Sequence, residues 1–376
     1  MSTRFGFVST FPPTQCGLAT FTAALRGALL NSTTDEGWVV RLVDRAAPRP
    51  GDEVVAQLIS GDTTSLQLAA GHLNQCDVAI MQHEYGVYGG ADGSQILYLL
   101  DEVRVPCVVV LHTVLTDPTP HQRRVLESVI AKADAVVTMT MTARDRLAAG
   151  YAVDMTKVRI IAHGAPALAT TMAEPTFRTG QFTVLTWGLL GPGKGIEWGV
   201  EAMAMLRDLR PMPRYVVAGQ THPKVLLDEG EAYRDRLREQ VKQAELGPWI
   251  TFDGQYRTTS ALASLVRSAD VVLLPYDSTE QVTSGVLIEA VAAGKPVVAT
   301  RFPHATEVLA GGAGLLVPHR DPAAIAAALR SVIMSRDVLT RMAATATATA
   351  PRLLWPVIAD QYRDLAAQLI TESVAA

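Results

Sequence analysis

Residues 281–300 read QVTSGVLIEAVAAGKPVVAT and contain a complete unit of an α/β fold. A short polar loop comes first, and an apolar stretch with the composition of a buried helix follows it. Gly294 ends this stretch, and Pro296 opens a run of small and β-branched residues that is typical of a buried strand. The order of loop, helix, glycine and strand predicts a helix packed on a parallel sheet, with the polar loop at a strand end where ligands bind.

The same pattern repeats along the whole chain. Short apolar runs without polar alternation predict strands buried on both faces, and the amphipathic stretches between them predict helices. We therefore predict an α/β fold class, with two Rossmann-like, doubly wound domains that face each other across a cleft. The predicted strands are residues 5–10, 39–43, 78–82, 107–112, 135–139, 158–162, 183–187, 215–218, 250–252, 271–274, 297–300 and 314–317.

The domain boundaries follow from a break in this pattern around residues 164–180. Turn residues without a clear period predict a linker there. We predict an N-terminal domain over residues 1–170, a C-terminal domain over residues 171–355 and a final helix over residues 356–376. That helix either packs back on the N-terminal domain or completes the second one.

Composition and charge disfavour several classes of protein. The 376 residues carry a formal net charge of −4, which argues against nucleic acid as the main partner. Cys16, Cys76 and Cys107 are far apart and form no Cys/His cluster, so neither a disulfide framework nor a zinc site is predicted. The N-terminus lacks the pattern of a signal peptide, and no apolar run is long enough to span a membrane. We expect a cytoplasmic protein, with attachment to a membrane surface left open.

In the first half of the chain, three residues follow predicted strands and are candidates for ligand binding. Gly17 precedes a helix, where free backbone N–H groups suit an anion, although an ordinary strand–helix turn explains it equally well. His83 and His112 each follow a strongly apolar strand. A single histidine in such a place is most often structural, whereas two at equivalent strand ends favour a functional role, for His112 more than for His83.

In the second half, a glycine-rich loop and a carboxylate are the main candidates. Residues 187–195 read WGLLGPGKG, and a loop of this kind can hold a diphosphate with backbone N–H groups and the cation of Lys194. The spacing differs from a P-loop because Gly195 follows the lysine, and a flexible loop with a surface lysine is the alternative. Glu289 lies about one turn into the helix that is predicted within residues 281–300, where it can accept hydrogen bonds from ribose hydroxyls.

With these motifs the chain resembles retaining glycosyltransferases of the family-4 type over nearly its whole length. Residues 188–195 fit the pattern GxLxxxKG, and residues 269–275 fit the family's ADVxxxP strand. Residues 281–300 are similar to the family's E-x7-E segment followed by AxAAGxPVVAT. The resemblance implies the GT-B fold, a nucleotide diphosphate sugar as donor, a carbohydrate or glycoconjugate acceptor, retention at the anomeric carbon and no requirement for a metal or other cofactor.

The resemblance also implies roles for individual residues. Gly17 would approach the donor phosphate, Lys194 would neutralise the diphosphate, and Glu289 would hold the ribose. The implied catalytic group is His112, Lys194 and Gln281, and the implied acceptor side includes His83, Glu84 and Tyr85. The implied donor-binding residues are Gly17, Gly188, Gly193, Tyr256, Arg257, Thr283, Ser284, Gly285, Val286 and Glu289.

Two positions depart from the family pattern. Gln281 stands where the family has the first acidic residue, and its amide can bind a hydroxyl but cannot act as a nucleophile or base. Leu189 stands where an arginine usually accompanies the lysine. We expect His222 or Lys224, in the loop after the strand at residues 215–218, to replace that arginine.

We therefore expect a hexosyltransferase that moves mannose or glucose from a nucleotide diphosphate sugar to a hydroxyl acceptor with retention. A sugar phosphorylase with the same two-domain plan is one alternative. A non-catalytic sugar-binding or nucleotide-binding homologue is another, with Gln281 and Leu189 as signs of lost chemistry. A periplasmic-type binding protein also has two α/β lobes but would require a signal peptide.

Overall fold

The computed structural model describes residues 2–31, 33–167 and 180–375. The chain divides into two compact units, one formed by Met1–Gly164 with Trp355–Ala376 and the other by Ala165–Leu354. Most of the predicted linker, residues 168–179, lies outside the described residues.

The described part of the first unit contains a parallel sheet with the strand order β3-β2-β1-β4-β5-β6-β7. The order reverses between β1 and β4, and in open α/β sheets such a switch point is where ligands bind. The strands are β1 (Arg4–Ser9), β2 (Glu36–Val43), β3 (Val54–Ile59), β4 (Val78–His83), β5 (Cys107–Leu111), β6 (Ala135–Thr138) and β7 (Val158–Ile160). The helices are α1 (Gly17–Leu30), α2 (Thr63–Leu73), α3 (Gln95–Glu102), α4 (Pro120–Lys132) and α5 (Met141–Gly150).

The described part of the second unit contains a parallel sheet with the order β10-β9-β8-β11-β12-β13, and its switch point lies between β8 and β11. The strands are β8 (Thr183–Trp187), β9 (Arg214–Ala218), β10 (Ile250–Asp253), β11 (Val271–Leu274), β12 (Val297–Thr300) and β13 (Gly314–Val317). The helices are α6 (Ile196–Ala204), α7 (Pro223–Glu229), α8 (Ala232–Gln243), α9 (Thr259–Ser268), α10 (Gly285–Ala292), α11 (Pro303–Leu309), α12 (Pro322–Met334) and α13 (Arg336–Thr349).

The last helix, α14 (Trp355–Ala375), belongs to the first unit, where it packs against α1. Trp355 and Tyr362 of α14 are buried in one cluster with Phe5 and Phe21. A Cβ at Gly164 would lie 2.2 Å from the Trp355 ring, so only glycine fits under this side chain. The core of the first unit is therefore completed by the end of the chain.

The predicted strands are all present with small shifts of their ends, whereas one strand, β3, and four helices, α2, α7, α11 and α13, were not predicted. In β3, buried residues alternate with half-buried ones because this strand lies at the edge of the sheet. Its apolar run is interrupted by Gln57, so it lacks the continuous apolar pattern that identified the other strands. The prediction of two Rossmann-like units did not depend on this strand.

The described residues contain neither a membrane-spanning helix nor a cluster of metal ligands. None of the described helices combines the length and apolar composition needed to cross a bilayer. In the same residues, no group of three or more histidine, cysteine, aspartate and glutamate side chains is arranged to hold a metal ion.

Candidate functional site

In the second unit, the loop between β8 and α6 is packed tightly against the ends of neighbouring strands. Gly188, Gly193 and Gly195 have φ angles of 115°, 86° and 61°. A Cβ at Gly195 would lie 1.9 Å from the carbonyl oxygen of Pro275, which follows β11. A Cβ at Gly219, after β9, would lie 1.8 Å from the carbonyl oxygen of Gly188. Backbone conformation and packing therefore both require glycine in this loop.

Lys194 places a positive charge at this edge of the sheet. Its Nζ lies 4.4 Å from the centroid of the Tyr276 ring, a distance at which cation–π attraction holds an ammonium group. Tyr276 is buried and stacks on Phe302. None of the ion pairs found among the described residues involves Lys194, so its charge is available to a bound anion.

The first turn of α10 provides N–H groups beside this loop. Ser284 is the N-cap residue, and its Oγ accepts a hydrogen bond from Leu287 N at 3.3 Å. Gly285 and Val286 occupy the first two helical positions, where an α-helix has no internal acceptor for their N–H groups. A Cβ at Gly188 would lie 3.4 Å from Val286 Cγ2, so the glycine loop and the helix N-terminus are in contact. This arrangement suits a phosphate group.

His304 fixes the polar loop that leads into α10, and the sequence did not single it out. Its ring is 1% exposed, and its Nδ1 accepts a hydrogen bond from Ser284 N at 2.7 Å. The backbone N–H of His304 donates to Gln281 O at 3.3 Å. Gln281 Nε2 in turn donates to Thr283 O at 3.1 Å, and within the described residues the buried Thr283 Oγ1 has no partner. Sequence spacing gave no signal for His304, because it lies two elements further along the chain.

Glu289 lies one turn into α10 and reaches the end of β8. Its Oε2 accepts a hydrogen bond from Trp187 Nε1 at 3.3 Å. Burial raises the pKa of the Glu289 carboxyl to about 7, against the opposing effect of this hydrogen bond. Near neutral pH the protonated and the ionised forms of Glu289 are therefore both populated. Hydroxyl donors from a ligand would favour the ionised form.

His222, Tyr256 and Arg257 lie on two further loops at the same edge. His222 N donates to Leu190 O at 2.7 Å, which brings its ring to the glycine loop. Burial, together with the charges of Lys224 and Lys194, lowers the pKa of His222. Tyr256 is 52% exposed, whereas Arg257 forms an ion pair with Asp253.

Arg234 is a second residue at this edge that the sequence did not single out. Its side chain is 3% exposed, and its Nη2 donates to Gly219 O at 2.6 Å. Its Nε lies 3.3 Å from Glu231 Oε2. Arg234 therefore holds the loop after β9 in place through this hydrogen bond. It belongs to the charged run of α8, where an arginine is indistinguishable in sequence from a solvent-facing one.

In the first unit, Gly17 begins α1 directly after the β1 loop. Cys16 is the N-cap residue, and its Sγ accepts a hydrogen bond from Ala19 N at 3.4 Å. A Cβ at Gly17 would meet nothing within 4 Å. Packing within the unit therefore does not require glycine here, and the helix N-terminus is open to a ligand.

His112 follows β5 and is held in a neutral form. Its Nε2 lies 2.7 Å from Gln82 Oε1, at the end of the adjacent strand β4. The Phe21 ring contacts it edge-on, with centroids 4.9 Å apart. Burial, and to a lesser extent the neighbouring His163 and His83, lowers the pKa of His112 to about 3. At neutral pH this side chain can therefore bind a hydroxyl group but carries no charge.

The three predicted acceptor-side residues differ in accessibility. His83 is the last residue of β4 rather than a residue beyond it, and it is 0% exposed. Burial lowers its pKa to about 4, and within the described residues neither ring nitrogen has a hydrogen-bond partner. Tyr85 is also buried, whereas Glu84 is half-buried and accepts a hydrogen bond from Gly86 N at 3.2 Å. Their role at an acceptor remains a prediction.

Residues 169–349 match the family model described as Glycosyl transferases group 1. The glycogen synthase of Mycobacterium tuberculosis H37Rv is 29% identical over 206 residues, which are 54% of this chain and 46% of that protein. The D-inositol 3-phosphate glycosyltransferase of Corynebacterium kroppenstedtii is 26% identical over 358 residues, 87% of this chain and 75% of that protein. The chain thus spans about half the length of the glycogen synthase.

The whole chain is similar to the solved structure of Anabaena HepE in complex with UDP. The TM-score is 0.77 at 17% sequence identity, and the match covers 97% of this chain and 100% of the other. At this identity the likeness shows the fold alone. The fold is the GT-B type with two Rossmann-like units, and the predicted fold class is confirmed.

Proposed function

We propose, from the group 1 domain at residues 169–349 and the site at the edge of its sheet, that this chain is a glycosyltransferase. It would move a hexose, mannose or glucose, from a nucleotide diphosphate sugar to a hydroxyl of a carbohydrate or glycoconjugate, as a retaining enzyme of the family-4 type. The observation that carries this proposal is one constellation. The loop after β8 carries Lys194, which forms no ion pair within the described residues, and this loop contacts the N-terminus of α10. Glu289 of α10 contacts Trp187 at the end of β8.

The chemistry of the leaving group explains this constellation. Breaking the anomeric C–O bond releases a nucleotide diphosphate with growing negative charge. Preorganised donors aimed at that charge lower the barrier, and each is worth on the order of 3 kcal/mol. Lys194 and the N–H groups of Gly285 and Val286 would be those donors, and Glu289 would hold the ribose. These donors would stabilise the charge of the leaving group without a metal ion, so we propose metal-independent transfer.

Retention would follow from displacement on one face of the sugar. Gln281 has no carboxylate with which to form a covalent intermediate. A departing diphosphate oxygen would therefore take the acceptor proton while the new C–O bond forms and the old one breaks. In this proposal the neutral His112 binds a hydroxyl of the transferred sugar.

Leu189 stands where the family usually has an arginine, and we propose that His222 or Lys224 takes over the role of that arginine. His222 lies at the glycine loop, where burial, and to a lesser extent the nearby charges of Lys224 and Lys194, lowers its pKa. We expect the double variant with alanine at positions 222 and 224 to bind donor more weakly and turn over more slowly. Unchanged affinity and turnover would exclude both residues from this role.

The function is tested by the shift in melting temperature with a panel of nucleotides, nucleotide sugars and sugar phosphates. A ligand at 100 times its dissociation constant stabilises by about 2.7 kcal/mol. We expect selective stabilisation by one nucleoside diphosphate and its sugar, followed by transfer to an acceptor in an activity assay. Stabilisation by sugar phosphates alone would contradict the proposal and indicate a phosphorylase.

A further inference from the structure

A groove on the first unit lies between α2 and α3, away from the residues discussed so far. It has a volume of about 460 Å³. Thr63 and Gln67 line it from one face of α2. Tyr98 and Glu102 line it from one face of α3, together with Ser94, the N-cap residue of that helix. Residues four apart on a helix share a face, so each helix contributes a continuous row of side chains. The eight residues of α3 span about 12 Å, which is longer than one pyranose ring.

The groove floor is held by hydrogen bonds of one buried side chain and continues the loop that carries Glu84. The buried Gln95 accepts hydrogen bonds from Gly61 N at 3.2 Å and from Gly89 N at 3.1 Å, and it donates to Ile59 O at 3.1 Å. This single side chain thus joins the turn after β3 to the loop after β4. The loop begins at the predicted acceptor side and ends in the groove.

The side chains of the groove have the chemistry of a carbohydrate site. Tyr98 is 64% exposed, which is a high exposure for a large aromatic residue. Within the described residues, the side chains of Thr63, Gln67, Ser94 and Tyr98 make no hydrogen bond, so their polar atoms are available to hydroxyl groups of a ligand. A flat ring with adjacent hydroxyl and amide groups offers a pyranose both a stacking surface and hydrogen bonds.

The charge of the groove excludes an anionic ligand. The lining residues include the carboxylates Asp101 and Glu102 and no lysine or arginine. Asp101 forms an ion pair with Lys132, whereas Glu102 has no such partner among the described residues. The remaining negative charge disfavours phosphorylated or sulfated chains, while a carboxylate accepts hydrogen bonds from sugar hydroxyls.

We infer that this groove binds the distal part of a neutral oligosaccharide acceptor, whose reactive end lies towards Glu84. The inference rests on the proposed function and adds the class of acceptor: a chain of several sugar units rather than a single small alcohol. Tyr98 is the stacking residue, and Gln67 and Ser94 supply hydrogen bonds along the chain.

The test uses the purified full chain and neutral oligosaccharides of one to six glucose or mannose units, with affinity measured by calorimetry or saturation-transfer NMR. We expect affinity to rise with length and Tyr98→Ala to weaken the longest ligands about tenfold without changing the affinity for monosaccharides. Leu68→Ala is the matched control, because Leu68 is 61% exposed on α2 but does not line the groove. It should behave as the unmodified protein does.

Two results would overturn the inference: no length dependence in the unmodified protein, including no binding at all, or a Tyr98→Ala variant that keeps the length dependence. Nucleotide-induced melting shifts, measured on the same preparations, report separately on the donor site. Normal nucleotide shifts without oligosaccharide binding would reject the groove and keep the proposed function. Length-dependent oligosaccharide binding without nucleotide shifts would keep the groove as a sugar-binding site but reject the transferase and, with it, the acceptor role of the groove.

Discussion

At the scale of single residues, the candidate ligand-binding groups at the edge of the second sheet are held in place by neighbouring side chains. Tyr276 holds the Lys194 ammonium through its ring, and Trp187 orients the Glu289 carboxyl. His304 fixes the Ser284 backbone. Supporting residues of this kind keep a site in its productive geometry before the ligand arrives, which is where electrostatic stabilisation gains its strength.

Lys194 is the residue whose removal should affect turnover most directly. We expect Lys194→Ala to lower turnover at least about a hundredfold, because one preorganised charge on the leaving group is lost. Transfer from the donor identified by melting shifts is the measurement, and the melting temperature of the free protein should hardly change. Lys242→Ala is the control, since Lys242 has a side chain 82% exposed on α8. A loss of less than about threefold for Lys194→Ala would remove this residue from the site.

At the scale of elements, continuous apolar runs made most of the fold predictable. Strands such as β4 and β11 are buried along their whole length and carry no polar alternation. The edge strand β3 lacks this pattern and was missed. The candidate site was predictable where the backbone conformation requires particular residues, as in the glycine loop and at the N-terminus of α10. Tyr98 and His304 could not be predicted, because their significance comes from neighbours brought together by tertiary packing.

The helix α14 allows a test of how the chain end supports the first unit. Trp355 is 7% exposed and packs on Phe21 with ring centroids 5.1 Å apart. We expect Trp355→Ala to lower the free energy of unfolding of the first unit by about 3 to 5 kcal/mol, because it leaves a cavity in the core. Hydrogen exchange measured by mass spectrometry resolves the two units. Val357→Ala, at a 42% exposed position of α14, should have little effect. Equal destabilisation of both units would contradict the assignment of α14 to the first.

At the scale of the whole molecule, the two units place their buried titratable groups differently. The first unit holds His83, His112 and His163, and burial lowers the pKa of each, to about 4, 3 and 4 respectively. The second unit holds Glu289, whose pKa is raised to about 7, and His222, whose pKa is lowered. The lowered histidine pKa values reduce the free energy of unfolding as the pH falls, whereas the raised pKa of Glu289 increases it.

Acidification should therefore weaken the first unit more than the second. His83 is buried and His112 and His163 are half-buried, and all three stay neutral in the folded first unit. Their unfolded forms take up protons as the pH falls below 6.5. Their stabilising effect is complete above that pH and is lost as the pH falls towards about 4. In the second unit, the protonated form of Glu289 is favoured in the folded state, so its contribution is largest at low pH and is lost as the pH rises through 7, while His222 acts in the opposite direction.

Hydrogen exchange of both units at pH 7, 6 and 5 tests this difference. We expect the unfolding free energy of the first unit to fall steadily, with His83, which is 0% exposed, contributing about 2 kcal/mol by pH 5. His83→Leu removes that titrating group and should reduce the slope for the first unit without altering the second. Equal losses in both units, or an unchanged slope in the variant, would mean that His83 is not held neutral by burial.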